Sequence, residues 1–205
     1  MNKSDSYSQQ VRSSMQASLE VKSRLLNDSA TVALIAEASK LIAEALQRGN
    51  KVFLFGNGGS AADSQHIAAE FVGRFGFDRA PLPALALSVN SSCLTAIGND
   101  YGFDVVFARQ LEALGHSGDV AIGISTSGNS PNVVRALVSG KRMGIKTVGL
   151  TGCTGGKMKE VADYCICAPS NETPRIQECH ILIGHIIAEI AEKAIFHEPS
   201  GISGS

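Results

Sequence analysis

From residue 51 onward the chain repeats one pattern: a short run of consecutive apolar residues, a loop of Gly, Ser, Thr or Asn, and a stretch with helical apolar spacing. The runs fall at 51–55, 84–89, 120–124, 147–150 and 164–168. Because they are continuous rather than alternating, they predict a parallel sheet covered by helices on both faces. A last helix is expected over 174–196, and a tail over 198–205, containing Pro199, Gly201 and Gly204, is expected to fray. Before residue 51 there is only helical spacing, carried by Val11, Met15 and Leu19 and then by Leu34, Ile35, Leu41, Ile42 and Leu46, which predicts two helices over 6–49. The first is so rich in Ser, Gln and Lys that its narrow apolar stripe predicts cover from a partner subunit. The expected organisation is therefore N-terminal helices over 1–50, in the same unit and engaged in oligomer packing, an α/β domain over 51–197, and a flexible tail over 198–205.

Composition narrows the partners. The 205 residues are 44% hydrophobic, enough for one well-buried core. Eighteen basic against nineteen acidic residues leave a formal net charge of -1, so no global field attracts nucleic acid or an anionic membrane. The polar start lacks the apolar stretch of a signal peptide and no segment approaches the ~20 apolar residues of a membrane span, so a cytoplasmic location is expected. The five cysteines, Cys93, Cys153, Cys165, Cys167 and Cys179, form no CxxC pair. They read as buried small hydrophobes, with a metal at Cys165 and Cys167 the alternative.

The chemistry lies in the loops. After the run at 120–124 comes Ser125-Thr126-Ser127-Gly128-Asn129-Ser130-Pro131, with Ser130 a natural N-cap and Pro131 suited to the first helical position. Free helix N–H groups, the positive helix end and the hydroxyls of Ser125, Thr126, Ser127 and Ser130 converge where an anion would sit. No lysine stands in the loop, so a phosphomonoester fits better than a nucleoside triphosphate. A second loop, Gly56-Asn57-Gly58-Gly59-Ser60, follows the first run and opens a helix with Ser60 as the expected N-cap. Its glycines admit a ligand to the backbone and Asn57 can donate to hydroxyls, making Asn57, Gly58, Gly59 and Ser60 candidate substrate contacts. The spacing is not GxGxxG, so no dinucleotide is indicated.

The helix after the glycine loop carries His66 and Glu70, four apart on one face, a spacing that suits two ligands of one metal or a plain hydrogen-bonded pair. The last helix interrupts its apolar run with Gln177, His180 and His185, polar groups that need partners. Gln177 and His185 stand about 12 Å apart along a helix, so a site using both draws on different chains.

Taken together, Gly56 to Ser60, the His66/Glu70 pair, Ala96-Ile97-Gly98-Asn99-Asp100, Ile124 to Ser130, Leu150-Thr151-Gly152 and Arg175-Ile176-Gln177-Glu178 resemble the phosphoheptose isomerases of the sugar isomerase (SIS) fold. The resemblance implies a three-layer, flavodoxin-like α/β architecture with a five-stranded parallel sheet. It implies substrate contacts from Asn57, Gly58, Gly59, Asn99, Asp100, Ser125, Thr126, Ser127, Ser130 and Gln177. It also implies one zinc ion per subunit held by His66, Glu70, Gln177 and His185, in a homotetramer with composite sites and no organic cofactor, and it favours His185 over His180 as ligand. One departure is Pro174, where some relatives carry an acidic residue; Asp63 or Asp100 is the expected source of a substitute polar contact. The implied reaction is aldose–ketose isomerisation of sedoheptulose 7-phosphate through an enediol, feeding surface heptose synthesis, with Glu70, itself against the substrate, as base and His185 as acid/base partner. The competing expectation is a non-catalytic SIS module that binds a sugar phosphate or associates with a replication initiator. Such a module would keep the serine loop and have no need of an acid/base pair.

Overall fold

A computed structural model describes residues 3–196, so the tail expected over 198–205 lies outside the described residues. Helices α1 (Lys3–Asn27) and α2 (Ser29–Gln47) precede the sheet. Asp28 separates them and caps α2, its carboxylate accepting from the backbone N–H groups of Ala30 and Thr31. The strands are β1 (Val52–Gly56), β2 (Ala84–Ala86), β3 (Val120–Ser125), β4 (Lys146–Thr151) and β5 (Tyr164–Cys167). All pair in parallel, in the order β2-β1-β3-β4-β5. The remaining helices are α3 (Gly59–Val72), α4 (Ser91–Tyr101), α5 (Val106–Leu114), α6 (Pro131–Arg142), α7 (Met158–Val161) and α8 (Thr173–Ile195).

Side chains alternate across each strand, and here both faces are apolar. Val52 and Leu54 of β1 join Ile122, Ile124, Val148, Leu150 and Ile166 in a core closed by α2, α3 and α8. Phe53 and Phe55 join Leu87, Phe107, Leu111, Val133 and Leu137 in a second core under α5 and α6. This is the three-layer arrangement that the continuous apolar runs predict. One strand is shorter than expected: β2 stops at Ala86 instead of 89. It pairs only through Val52–Leu54 on β1 and lies at the sheet edge, where Leu85 and Val89 are exposed.

The cysteines depart from the reading as buried hydrophobes. Cys179 alone is buried; Cys93, Cys165 and Cys167 are half-buried, and Cys153 is exposed with its thiol donating to Asn171 Oδ1 at 2.8 Å. Cys93 lies on α4, which buries no side chain, and Cys165 and Cys167 lie on the edge strand β5.

The connection from β1 leads outward to β2, whereas β3 lies on its other side. The order of winding therefore reverses between β1 and β3, the place where sheets of this kind form a crevice beyond the carboxyl ends of the strands. Gly56 pairs in register with Ile124, which sets the glycine loop and the serine loop side by side.

Candidate active site

The two loops are tied together by a reciprocal amide pair. Asn57 Nδ2 donates to Asn132 Oδ1 and Asn132 Nδ2 donates to Asn57 Oδ1, both at 2.9 Å. Asn132 Oδ1 also accepts from the N–H of Val133 at 2.9 Å, so one buried side chain links the start of α6 to the glycine loop. Sequence reasoning passed over Asn132; a polar residue beside a prolyl helix start was the available signal.

Ser130 is the N-cap of α6, followed by Pro131 in the first turn, but its hydroxyl makes no capping bond. It meets Ser125 Oγ at 2.8 Å, and Ser125 Oγ lies 3.4 Å from Ser127 Oγ. These three hydroxyls form one cluster in the loop. Thr126 instead ties the loop from below, its carbonyl accepting from Gly152 N–H at 3.0 Å. Gly128 sits at φ +67°, and a Cβ there would lie 2.1 Å from the carbonyl oxygen of Gly155. Only glycine permits that left-handed turn against the neighbouring loop.

The glycine loop turns two residues earlier than expected. The N-cap of α3 is Gly58 (φ +55°), and Ser60 is buried within the first turn rather than capping it. The reason is that Gly58 O already accepts from Ala61 and Ala62 N–H, while Asn57 O accepts from Ser60 N–H. Gln177 on α8 packs against this turn: a Cβ on Gly59 would lie 2.3 Å from Gln177 Nε2.

Two turns along α3 a second cluster forms. His66 Nε2 lies 3.1 Å from Glu70 Oε1 and 3.2 Å from His185 Nε2, and one donor atom from each of the three residues lies within 4.8 Å of the others. Two imidazole nitrogens and a carboxylate oxygen form the donor set of a zinc-type site. Gln177 is not with them in the same chain, because eight residues of α8 separate it from His185, about 12 Å of helix. Among the described residues this is the one His/Cys/Asp/Glu cluster of metal-binding size, and it does not include Cys165 or Cys167.

Asp63 lies on α3 between the glycine loop and His66, with Oδ2 buried and without a hydrogen-bond partner among the described residues. Burial pushes its carboxyl above the ordinary carboxylate range, against the opposing pull of His66. Asn99 and Asp100 stand at the exposed end of α4, with Asn99 Nδ2 donating to Asp100 Oδ1 at 2.7 Å. No hydrogen bond among the described residues joins them to either loop. Helix α4 buries no side chain in the single chain. Pro174 occupies the first turn of α8, where its fixed φ suits a helix start. Arg175 binds the Ser14 carbonyl and Glu178 Oε1, while Glu178 Oε2 accepts from Ser18 Oγ at 2.6 Å. Both side chains thus tie α8 to α1.

The SIS domain family matches residues 10–152. A phosphoheptose isomerase from Aneurinibacillus thermoaerophilus is 58% identical over 186 residues, 91% of this chain and 94% of that protein. One from Sulfurimonas denitrificans is 56% identical over 187 residues, 91% and 95% of the two chains. The solved phosphoheptose isomerase of Neisseria gonorrhoeae superposes with a TM-score of 0.85 at 39% identity, covering 91% of this chain and 99% of that one. Relatives this similar along nearly their whole length, on the same fold, establish that this chain belongs to the phosphoheptose isomerase family of SIS-domain proteins.

Proposed function

We propose that this chain is a sugar-phosphate isomerase that interconverts sedoheptulose 7-phosphate and D-glycero-D-manno-heptose 7-phosphate in the cytoplasm, supplying heptose for lipopolysaccharide precursors. The observation that carries the reading is the meeting of His66, Glu70 and His185, brought together from α8 and from α3, the helix opened by the glycine loop that lies alongside the serine loop's phosphate-type cradle. A sugar-phosphate sensor needs the cradle but has no use for a base.

The phosphate binds at the hydroxyls of Ser125, Ser127 and Ser130, with Thr126, and at the amino end of α6, where N–H groups and the helix dipole favour an anion. Asn57, Gly58, Gly59 and Ser60, with Asn99, Asp100 and Gln177, bind the sugar hydroxyls. Glu70 removes a proton from the carbon beside the carbonyl and returns it to the neighbouring carbon. His185 moves the proton between the two oxygens, so the enediol forms and collapses without free oxyanion. The donor set of His66, Glu70 and His185 fits zinc, and the partner subunit's Gln177 supplies a fourth ligand, since this chain's own Gln177 stays with Gly59. When bound, one zinc ion per subunit polarises the sugar oxygens. Sharing ligands in this way makes the sites composite, and we assign a homotetramer.

The test is incubation of the purified protein with sedoheptulose 7-phosphate, with and without a chelator, followed by NMR of the product. Conversion is expected with zinc present and is expected to fall on chelation. Glu70→Gln is expected to remove turnover, by roughly a hundredfold or more, while inorganic phosphate still binds. No conversion in zinc-replete protein, or full activity in Glu70→Gln, would sink the reading.

A further inference from the structure

An ion pair that the isomerase chemistry leaves unused joins the segment after α3 to α8. Arg79 Nε donates to Glu192 Oε2 at 2.8 Å, and both side chains are only 2% exposed. Breaking such a pair leaves a buried charge, and replacing both members by apolar residues is often harmless to the fold, so the pair invites a reason beyond stability.

The reason lies in where its other hydrogen bonds go. The carbonyls in the last turn of a helix lack intrahelical partners. Arg79 supplies them for α3: Nη2 donates to Glu70 O and Nη1 to Phe71 O, both at 2.7 Å, with Gly73 O and Ala80 O at 3.0 Å. One guanidinium, with its five N–H donors, therefore holds the backbone of Glu70 itself and closes the loop around it. A cation at the carboxyl end of a helix also meets the negative end of the helix dipole.

Glu192 acts on the opposite wall. It stands seven residues beyond His185 on α8, two turns further along the same face. Its carboxylate accepts from Phe75 N–H at 3.0 Å and Gly76 N–H at 2.6 Å. That fixes Phe75, whose ring lies 5.7 Å from the His185 ring, centroid to centroid, while His185 lies 5.0 Å from the ring of His66.

We infer that Arg79 and Glu192 are positioning residues for the isomerase site, one setting the backbone of Glu70 and the other, through Phe75, the ring of His185. The inference rests on the reading of Glu70 and His185 as the acid/base pair. The clamp sits at the far end of α3 from the phosphate cradle, so its loss acts on proton transfer and zinc affinity and spares phosphate binding.

The test uses the full-length assembled protein. The double variant Arg79→Met/Glu192→Leu removes both charges together, and Phe75→Leu removes the ring while leaving the clamp. Thermal unfolding, kcat, KM and zinc affinity by chelator competition are measured for each, with Glu70→Gln in parallel. In folded double variant, kcat and zinc affinity are expected to fall about tenfold or more, with KM within about twofold, as for losses around metal ligands. Phe75→Leu is expected to show the same split, less severely. Wild-type kcat and zinc affinity in folded variants would overturn the inference, as would a rise in KM that matches the fall in kcat. If the double variant does not fold, Phe75→Leu decides alone. Turnover retained by Glu70→Gln would instead indict the acid/base assignment and leave the clamp without a site to position.

Discussion

Residue by residue, the last helix separates three polar side chains that look alike in sequence. Gln177 goes to the glycine turn, His185 to His66, and His180 into the core, where it is 0% exposed. His180 Nε2 donates to Thr151 O at 3.1 Å, which leaves Nδ1 as the unprotonated nitrogen, buried without a partner among the described residues. Protonation would place an N–H there with nothing to accept it. Burial accordingly lowers its pKa to about 4, only partly offset by the bond to Thr151. Because the unfolded chain then binds a proton more readily than the folded one, the stability His180 contributes is present above about pH 6.5 and is lost as pH falls toward 4. Between about pH 7 and pH 5 the loss amounts to about 2 kcal/mol. His180→Gln is expected to flatten that part of the stability curve, as read by urea unfolding at both pH values; an unchanged slope would contradict it. The spacing of polar residues announced that three partners were needed, but no spacing says which histidine is enclosed.

At the scale of elements, the contact that matters is α3 against α8. Gly184 lets them approach: a Cβ there would lie 2.3 Å from Ile67 Cδ1, and Ile67 is 1% exposed with nowhere to retreat. The chain neighbours of that contact are His66 and His185. Gly184→Ala is expected to push the helices apart, costing about 1–3 kcal/mol of stability and reducing kcat more than KM, measured by thermal unfolding and steady-state kinetics. Strand and helix positions were largely legible, because both faces of the sheet are buried and each apolar run is continuous. The ends were less so. Strand β2 stops early because an edge strand with a single partner has little to hold its far end, and α3 starts at Gly59 because the glycine turn supplies its own backbone acceptors.

For the molecule as a whole, α1 is the element that one chain fails to explain. Val21 and Leu25 are buried near its carboxyl end, whereas Val11, Met15 and Leu19 are 57%, 63% and 63% exposed. A stripe of that kind on a helix otherwise rich in polar residues fits burial against another copy. Met15→Glu is expected to reduce the assembly size in sedimentation or light scattering, and to lower activity if sites are shared between subunits; unchanged mass would count against α1 as the interface. Among the described residues no helix is long and apolar enough to cross a membrane. By itself the sequence determined the layer architecture, the two Gly/Ser loops and the residue types of the candidate site, because periodicity and loop chemistry are local and survive without knowledge of partners. Only the tertiary structure decided that His66, Glu70 and His185 meet while Gln177 remains at the glycine turn, and that Asn132, Arg79 and Glu192 hold the pieces in place. Those contacts join residues as far apart as His66 and His185, separated by 119 positions, and depend on helix packing that no local pattern encodes. The serine loop could be read from seven adjacent letters; Glu70 could be placed beside His185 only after the sheet had brought two helices together.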